Sequence, residues 1–160
     1  MSLRALTFSA LSVFCIAPLF TSCASTANPP MATQSLYERL GGETAIRAVV
    51  DDFVARAAAD PKVNITRKGT GMEWQATPEN VELLKVRLVQ LVASVTGGPQ
   101  RYEGRGMKEA HAGMRITNAE FDAVAADLKA TLDHFGVPAA EQHELLSIVA
   151  STRGDVVSAR

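Results

Sequence analysis

His111 is the residue of this chain best suited to bind a metal. It lies in the segment Gly106–Thr117, where Met107, His111 and Met114 follow one another at the spacing i, i+4, i+7. This spacing predicts one apolar face of a helix. An imidazole on such a face can point into a nonpolar pocket, as a ligand of buried iron must. A single histidine on a short helix is more often structural, so the surrounding sequence decides between the two interpretations.

Cysteine chemistry is excluded from the folded part of the chain. The two cysteines, Cys15 and Cys23, both lie in an N-terminal leader. The remainder therefore has no disulfide framework, cysteine zinc site, catalytic thiol or Cys-x-x-Cys-His attachment. The other two histidines favour structural roles, because His134 stands beside Asp133 in a predicted last helical turn and His143 lies among charged and polar neighbours.

The leader has the order and length of a secretory signal peptide, predicted over residues 1–22. Met1–Arg4 carries one positive charge, and the apolar run Ala5–Phe20 that follows has no charged residue. This run is short for a membrane-spanning helix and lacks a basic stop after it. We therefore expect an exported protein of the bacterial cell envelope.

Two forms of the mature N-terminus are consistent with this leader. The run Leu19–Cys23 resembles a bacterial lipobox, which predicts Cys23 as the lipidated first mature residue. The alternative is ordinary cleavage after Ala27, which leaves a periplasmic protein. Residues 23–34 are predicted as a flexible linker, so membrane contact is expected only through the lipid anchor.

The rest of the chain is predicted as one all-α domain over residues 35–157. Apolar spacing defines its helices, and no alternating strand pattern appears. Helix starts are predicted at Thr77-Pro78 and at the capping box Thr117–Glu120, and a helix stop at Gly97-Gly98. The helix after Thr117 is predicted to bury a stripe, and residues 62–76, with the only tryptophan, are predicted as a loop. The stripe consists of Phe121, Val124, Leu128, Leu132 and Phe135. The net charge of −1, with both signs mixed along the chain, gives no indication of a nucleic-acid surface.

An ordered set of landmarks resembles the group I truncated haemoglobins. It comprises Ser35–Gly42, Gly97–Pro99, Tyr102, Gly104, Met107-Lys108, Ala110-His111 and Ile116-Thr117. The resemblance implies a truncated globin, with helices packed two over two around a pocket for one non-covalent haem b. It also implies that His111 is the proximal iron ligand, whose second ring nitrogen requires an acceptor such as a backbone carbonyl.

The same resemblance implies the other contacts of the cofactor. The expected haem-binding positions are Phe53, Val54, Ile65, Leu84, Leu88, Val92, Tyr102, Met107, Phe121 and Val124. Simple core packing is the alternative for each of them, because a haem pocket is lined by the same apolar residue types as an ordinary hydrophobic core. Arg101, Arg105 and Lys108 are candidates for the haem propionates, with a solvated face as the alternative.

Three positions depart from the family pattern on the distal side. Val54 stands where the family commonly has a tyrosine, Leu88 where it often has a glutamine, and Ile65 where a phenylalanine wedges the haem. Dioxygen gains from a nearby hydrogen-bond donor, whereas carbon monoxide and nitric oxide lose less without one. Trp74 is a candidate donor in the long loop.

We therefore expect a haem-binding globin of the oxygen binding and transport class, which binds oxygen, nitric oxide or carbon monoxide and depends on an unknown reductase. One alternative is a haem enzyme of the nitric oxide dioxygenase or peroxidase type. It ranks lower, because the expected distal positions offer no acid–base group. The other alternative is a globin-like envelope module without haem.

Overall fold

A computed structural model describes residues 34–159 of the chain. The helices are α1 (Leu36–Arg39), α2 (Gly42–Ala59), α3 (Pro78–Val95), α4 (Met107–His111), α5 (Asn118–His134), α6 (Ala139–Ser151) and α7 (Arg153–Val156). The predicted signal peptide, the lipidation site at Cys23 and all of the linker but Gln34 lie outside the described residues. None of the helices between residues 34 and 159 has the length and apolarity needed to cross a bilayer.

The starts of the two central helices follow from their capping residues. The hydroxyl of Thr77 accepts a hydrogen bond from the Asn80 N–H at 3.3 Å, and Pro78 occupies the first turn of α3, as predicted. At α5, the hydroxyl of Thr117 accepts from the Glu120 N–H, and the Glu120 carboxylate accepts from the Thr117 N–H at 2.7 Å. This reciprocal arrangement is the predicted capping box.

The helices pack as two layers of two, which confirms the predicted fold class. Helix α2 packs against α3 and α5, and α6 packs against α5. One buried cluster joins α2 to α3 and consists of Ile46, Val50, Val54 and Val89. A second joins α1, α5 and α6 and consists of Leu36, Leu132 and Leu145. Val92 packs against both clusters, so α3 links the two layers.

The structure corrects three local expectations. Helix α4 ends at His111, so Met114 follows in a turn and does not share a helical face with His111. Phe135 caps α5 and is 43% exposed, so the buried stripe of that helix ends at Leu132. Periodicity missed α1 and α7, because each has only four residues.

Gly98 brings the two longest sequence landmarks together. A Cβ atom at this position would lie 2.5 Å from Cδ2 of Tyr37 and 2.9 Å from the carbonyl oxygen of Ala93. Only glycine therefore lets the tyrosine ring lie against the end of α3. The motifs at residues 35–42 and 97–99 thus form one packing contact.

The Gly98→Ala variant is expected to lose stability, because the new methyl group must displace the Tyr37 ring or backbone. Overpacking of this kind costs about 1–3 kcal/mol, which in a chain of this size lowers Tm by about 2–4 °C per kcal/mol. Thermal unfolding followed by circular dichroism measures the change. Gly154→Ala is the matched control, because nothing lies within 4 Å of its added Cβ. Equal Tm values for the two variants would contradict this account.

Candidate haem pocket

A cavity of about 770 Å³ lies between the two helical layers. Its size falls within the range of pockets for small molecules and cofactors, about 300–1,000 Å³. Leu83 and Val95 of α3, although 54% and 45% exposed, line it, so part of its mouth is apolar. An occupant at this mouth would cover apolar surface that the protein itself leaves exposed.

His111 lines the cavity with its ring orientation fixed by a backbone hydrogen bond. Its Nδ1 atom lies 2.7 Å from the carbonyl oxygen of Met107. A carbonyl can only accept, so in the neutral ring Nδ1 carries the proton and Nε2 carries the free lone pair. This is the tautomer that a histidine needs in order to bind a metal through Nε2. The carbonyl group of Met107 is the hydrogen-bond acceptor that was expected for the second ring nitrogen.

The structure brings nine of the ten expected contact residues to the same cavity. On the side of α2, α3 and the loop they are Phe53, Ile65, Leu84, Leu88 and Val92; on the side of α4 and α5 they are Met107, Phe121 and Val124, with Tyr102 before α4. These positions surround the space between the layers, and the residues at most of them are apolar. The cavity therefore fits a flat apolar guest held through His111.

Val54 is the exception among the expected contacts. It is 4% exposed in the cluster between α2 and α3, and it lines a second cavity of about 700 Å³ instead. Successive residues of a helix point about 100° apart, so Phe53 faces the main cavity while Val54 does not. Asn64, Ile65 and Trp74 line both cavities.

The charged rim of the cavity differs from the expected one. Of the three expected cations, Arg105 lines the cavity, whereas Arg101 and Lys108 are exposed and lie outside its lining. Arg87, which was not predicted from the sequence, also lines the cavity and forms an ion pair with Glu103 at 3.5 Å.

Arg67 is the other site residue that sequence reasoning missed. It is 5% exposed, lines the cavity, and donates to Oε1 of Glu120 and to the carbonyl oxygen of Met114, both at 2.6 Å. Its Nε atom is buried without a hydrogen-bond partner among the described residues. A charged residue in a polar loop gives no sequence signal for such a role, because most are solvated.

The carboxylate of Glu120 is held in its charged form by this contact. Partial burial alone would raise its pKa, but hydrogen bonds from Thr117 and Arg67, and the positive charge of Arg67, hold the pKa below its usual value. The charged form therefore stabilises the fold at neutral pH. This contribution is lost as the pH falls through the lowered pKa.

The chain belongs to a known family of globins. A family model described as bacterial-like globin matches residues 35–158. A group 1 truncated hemoglobin of Tetrahymena pyriformis is 38% identical over 124 residues, which cover 78% of this chain and 95% of that protein. The chain is therefore a member of the group 1 truncated haemoglobins, a family of haem-binding globins, as the sequence resemblance predicts.

Solved structures agree with this membership. The truncated hemoglobin of Tetrahymena pyriformis in its Fe(III) form is similar with a TM-score of 0.68 at 34% identity, over 78% of this chain and 99% of that chain. A 2/2 hemoglobin from Synechococcus, in the cyanomet state and with covalently attached heme, is similar with a TM-score of 0.65 at 31% identity, over 78% and 98% of the two chains. The helical arrangement is thus the 2/2 globin fold.

The Glu120→Gln variant is expected to be less stable at neutral pH by about 1.5–3 kcal/mol, the usual worth of a hydrogen bond to a charged group. The difference from the parent protein should shrink in acid, once Glu120 of the parent is itself protonated. Urea unfolding at neutral and acidic pH measures both values. Glu82→Gln changes an exposed carboxylate of α3 and serves as the control. A difference that persists unchanged in acid would contradict the role of the charge.

Proposed function

We propose that this chain is an exported globin that binds one non-covalent haem b through His111 and uses it to bind a diatomic gas. The observation that carries the proposal is the Met107–His111 hydrogen bond, which leaves Nε2 of the ring free on the wall of the 770 Å³ cavity. Membership of the truncated haemoglobin family supports it. When bound, the haem supplies an iron atom with an open coordination position for the gas.

The residues around the cavity fit the faces and edge of a haem. Met107, Phe121 and Val124 lie on the side of His111, and Leu84, Leu88 and Val92 lie on the side of α3. Arg87 and Arg105 are the cations of the lining that could pair with the haem carboxylates. The chain has no cysteine after residue 23, so its globin domain offers no thiol that could form a thioether bond to the haem. This favours non-covalent binding. The covalently attached heme of the Synechococcus protein is a property of that relative.

The apolar distal wall favours ligands that need little polar stabilisation. A nearby donor is worth about 1.5–3 kcal/mol to a ligand that acquires negative charge, as dioxygen does. Leu84, Leu88 and Phe53 carry no donor, and the candidate donor Trp74 lines the cavity from the loop and not from α2 or α3. We therefore infer that the site retains carbon monoxide and nitric oxide better, relative to dioxygen, than a site with a distal tyrosine or glutamine.

The leader supports a place for this protein in the cell envelope. Export would proceed through the signal peptide at residues 1–22, with the domain either anchored by lipidated Cys23 or free in the periplasm. A reductase of that compartment would keep the iron ferrous. Retention of the protein in the membrane fraction, and its release in the Cys23→Ala variant, is the result expected for the anchored form.

The ligand assignment is tested by adding haemin to the purified chain and to His111→Ala. The parent is expected to take up one equivalent and show a Soret band, which is shifted or lost in the variant because the iron loses its protein ligand. His134→Ala and His143→Ala are matched controls, since both histidines are exposed. An unchanged spectrum in His111→Ala contradicts the assignment, and a parent that stays colourless supports the haem-free module.

The distal proposal is tested by placing a donor on α3 in the Leu88→Gln variant. Dioxygen dissociation is expected to slow by about 10-fold to 100-fold, the equivalent of one hydrogen bond to a charged acceptor. Carbon monoxide dissociation should change much less. Val86→Gln introduces the same amide outside the lining of both cavities and should leave the two rates unchanged. Equal effects on both gases would contradict the proposal.

A further inference from the structure

The long loop between α2 and α3 forms one wall of the cavity. It contributes Val63, Ile65, Arg67 and Trp74 to the lining, and Ile65 stands where the family has a wedging aromatic ring. The shorter aliphatic side chain offers less contact to a flat guest than a phenyl ring does. Something else must therefore fix this wall against the cofactor.

Arg67 joins this wall to the segment that carries His111. Its Nη2 donates to the carbonyl oxygen of Met114, and the N–H of Met114 donates to the carbonyl oxygen of His111 at 3.1 Å. Its Nη1 donates to Glu120, whose second oxygen accepts from Thr117 at the start of α5. A single side chain thus links the loop, the turn after His111 and the start of α5.

Helix α4 depends on tertiary contacts of this kind. It has only five residues, none of them buried, and Gly106 at its N-cap provides no side-chain hydrogen bond. Isolated helices of this length do not form in water, because the free-energy cost of nucleation exceeds the gain from the hydrogen bonds of a single turn. The direction of the His111 ring must therefore be set by what holds the two ends of α4 in place.

The backbone at both ends of the contact is strained and needs compensation. Arg67 has φ +54° and Arg115, which follows Met114, has φ +52°. Residues with a Cβ atom occupy this left-handed region at a cost in free energy and persist there only where surrounding contacts hold them. The two 2.6 Å hydrogen bonds of the buried guanidinium are such contacts. Lysine cannot replace them both, because its single ammonium lacks the fork geometry of arginine.

We propose that Arg67 is a positioning residue of the haem pocket. By binding Met114 and Glu120, it locks the loop onto the His111 turn and retains the cofactor in a site without the wedging aromatic residue. This inference rests on the proposed haem binding. Arg67 thus closes one wall of the pocket and also orients the proximal ligand on the other side.

The test compares Arg67→Met with Lys68→Met, which removes an exposed cation from the next position of the loop. Both proteins are loaded with haemin, and the rate of haem transfer to an excess of apomyoglobin is measured. Arg67→Met is expected to release haem about 10-fold to 100-fold faster than the parent, whereas Lys68→Met should stay within about 2-fold. Arg67→Lys should fall between them, because it keeps the charge and loses the fork.

A second readout separates positioning from general stability. The iron–histidine stretching frequency of the ferrous protein, measured by resonance Raman spectroscopy, is expected to shift in Arg67→Met and to stay unchanged in Lys68→Met. A haem release rate and a stretching frequency equal to those of Lys68→Met would overturn the proposal. If Arg67→Met does not fold, Glu120→Gln gives the same two readouts, because it weakens the Arg67 contact and keeps an oxygen for the α5 cap.

Failure of haem binding is distinguished from failure of the Arg67 contact in the haem-free chain. A parent protein that takes up no haemin contradicts the proposed function, and with it the role of Arg67 toward the cofactor. The contact between the loop and the His111 turn is then tested by measuring how fast a glutamate-specific protease cleaves the haem-free chain after the exposed Glu73. Faster cleavage in Arg67→Met than in Lys68→Met supports the locked loop, and equal rates overturn it.

Discussion

The helices of this protein can withdraw their apolar faces from water only by enclosing a space that their own side chains do not fill. Helix α3 shows the constraint most clearly. Val89 and Ala93 pack fully against the protein, whereas Leu84, Leu88 and Val92 line the cavity. An empty apolar space of this size forfeits the dispersion contacts that a close-packed interior provides. A flat apolar guest restores them, so the cofactor is best regarded as part of the hydrophobic core.

This constraint explains how an element as small as α4 could carry the proposed metal ligand. A flat guest in this cavity would be held by the two helical layers, so α4 would need only to present one nitrogen atom in the correct direction. The 2.7 Å hydrogen bond between His111 and Met107 sets the tautomer and the rotation of the ring. Because five residues cannot sustain a helix alone, the neighbouring turn at Met114 and its contact with Arg67 take over the remaining positioning.

Local signals made much of this architecture predictable from the sequence. The Thr77-Pro78 start, the Thr117–Glu120 capping box and the Gly97-Gly98 stop each act through neighbouring residues, and the structure has all three where they were predicted. The pocket was also predictable as a set of residues, because apolar periodicity and family landmarks coincide on the same helices. Val54, expected at the pocket from the resemblance, lines the neighbouring cavity instead, because adjacent positions of a helix point in different directions.

What the sequence could not predict depends on contacts between distant segments. Arg67 and Glu120 are 53 residues apart, and a buried ion pair of this kind leaves no periodic or compositional trace. The end of α4 at His111 is equally hidden, because the apolar spacing of Met107, His111 and Met114 is the same whether the last residue lies in a helix or in a turn. Both features can be seen only in the three-dimensional structure.

The two sides of the pocket control different quantities. In the proposed haem pocket, contacts on the His111 side, including the one from Arg67, would determine how firmly the cofactor is held and how its ligand is directed. The residues of α3 opposite determine which gas is favoured, because a donor there acts on the charge of the bound gas alone. A distal wall without polar groups would therefore not weaken the binding of the cofactor. An apolar distal wall and a tied proximal side are therefore compatible in one haem pocket, and together they are what the proposed shift of selectivity away from dioxygen requires.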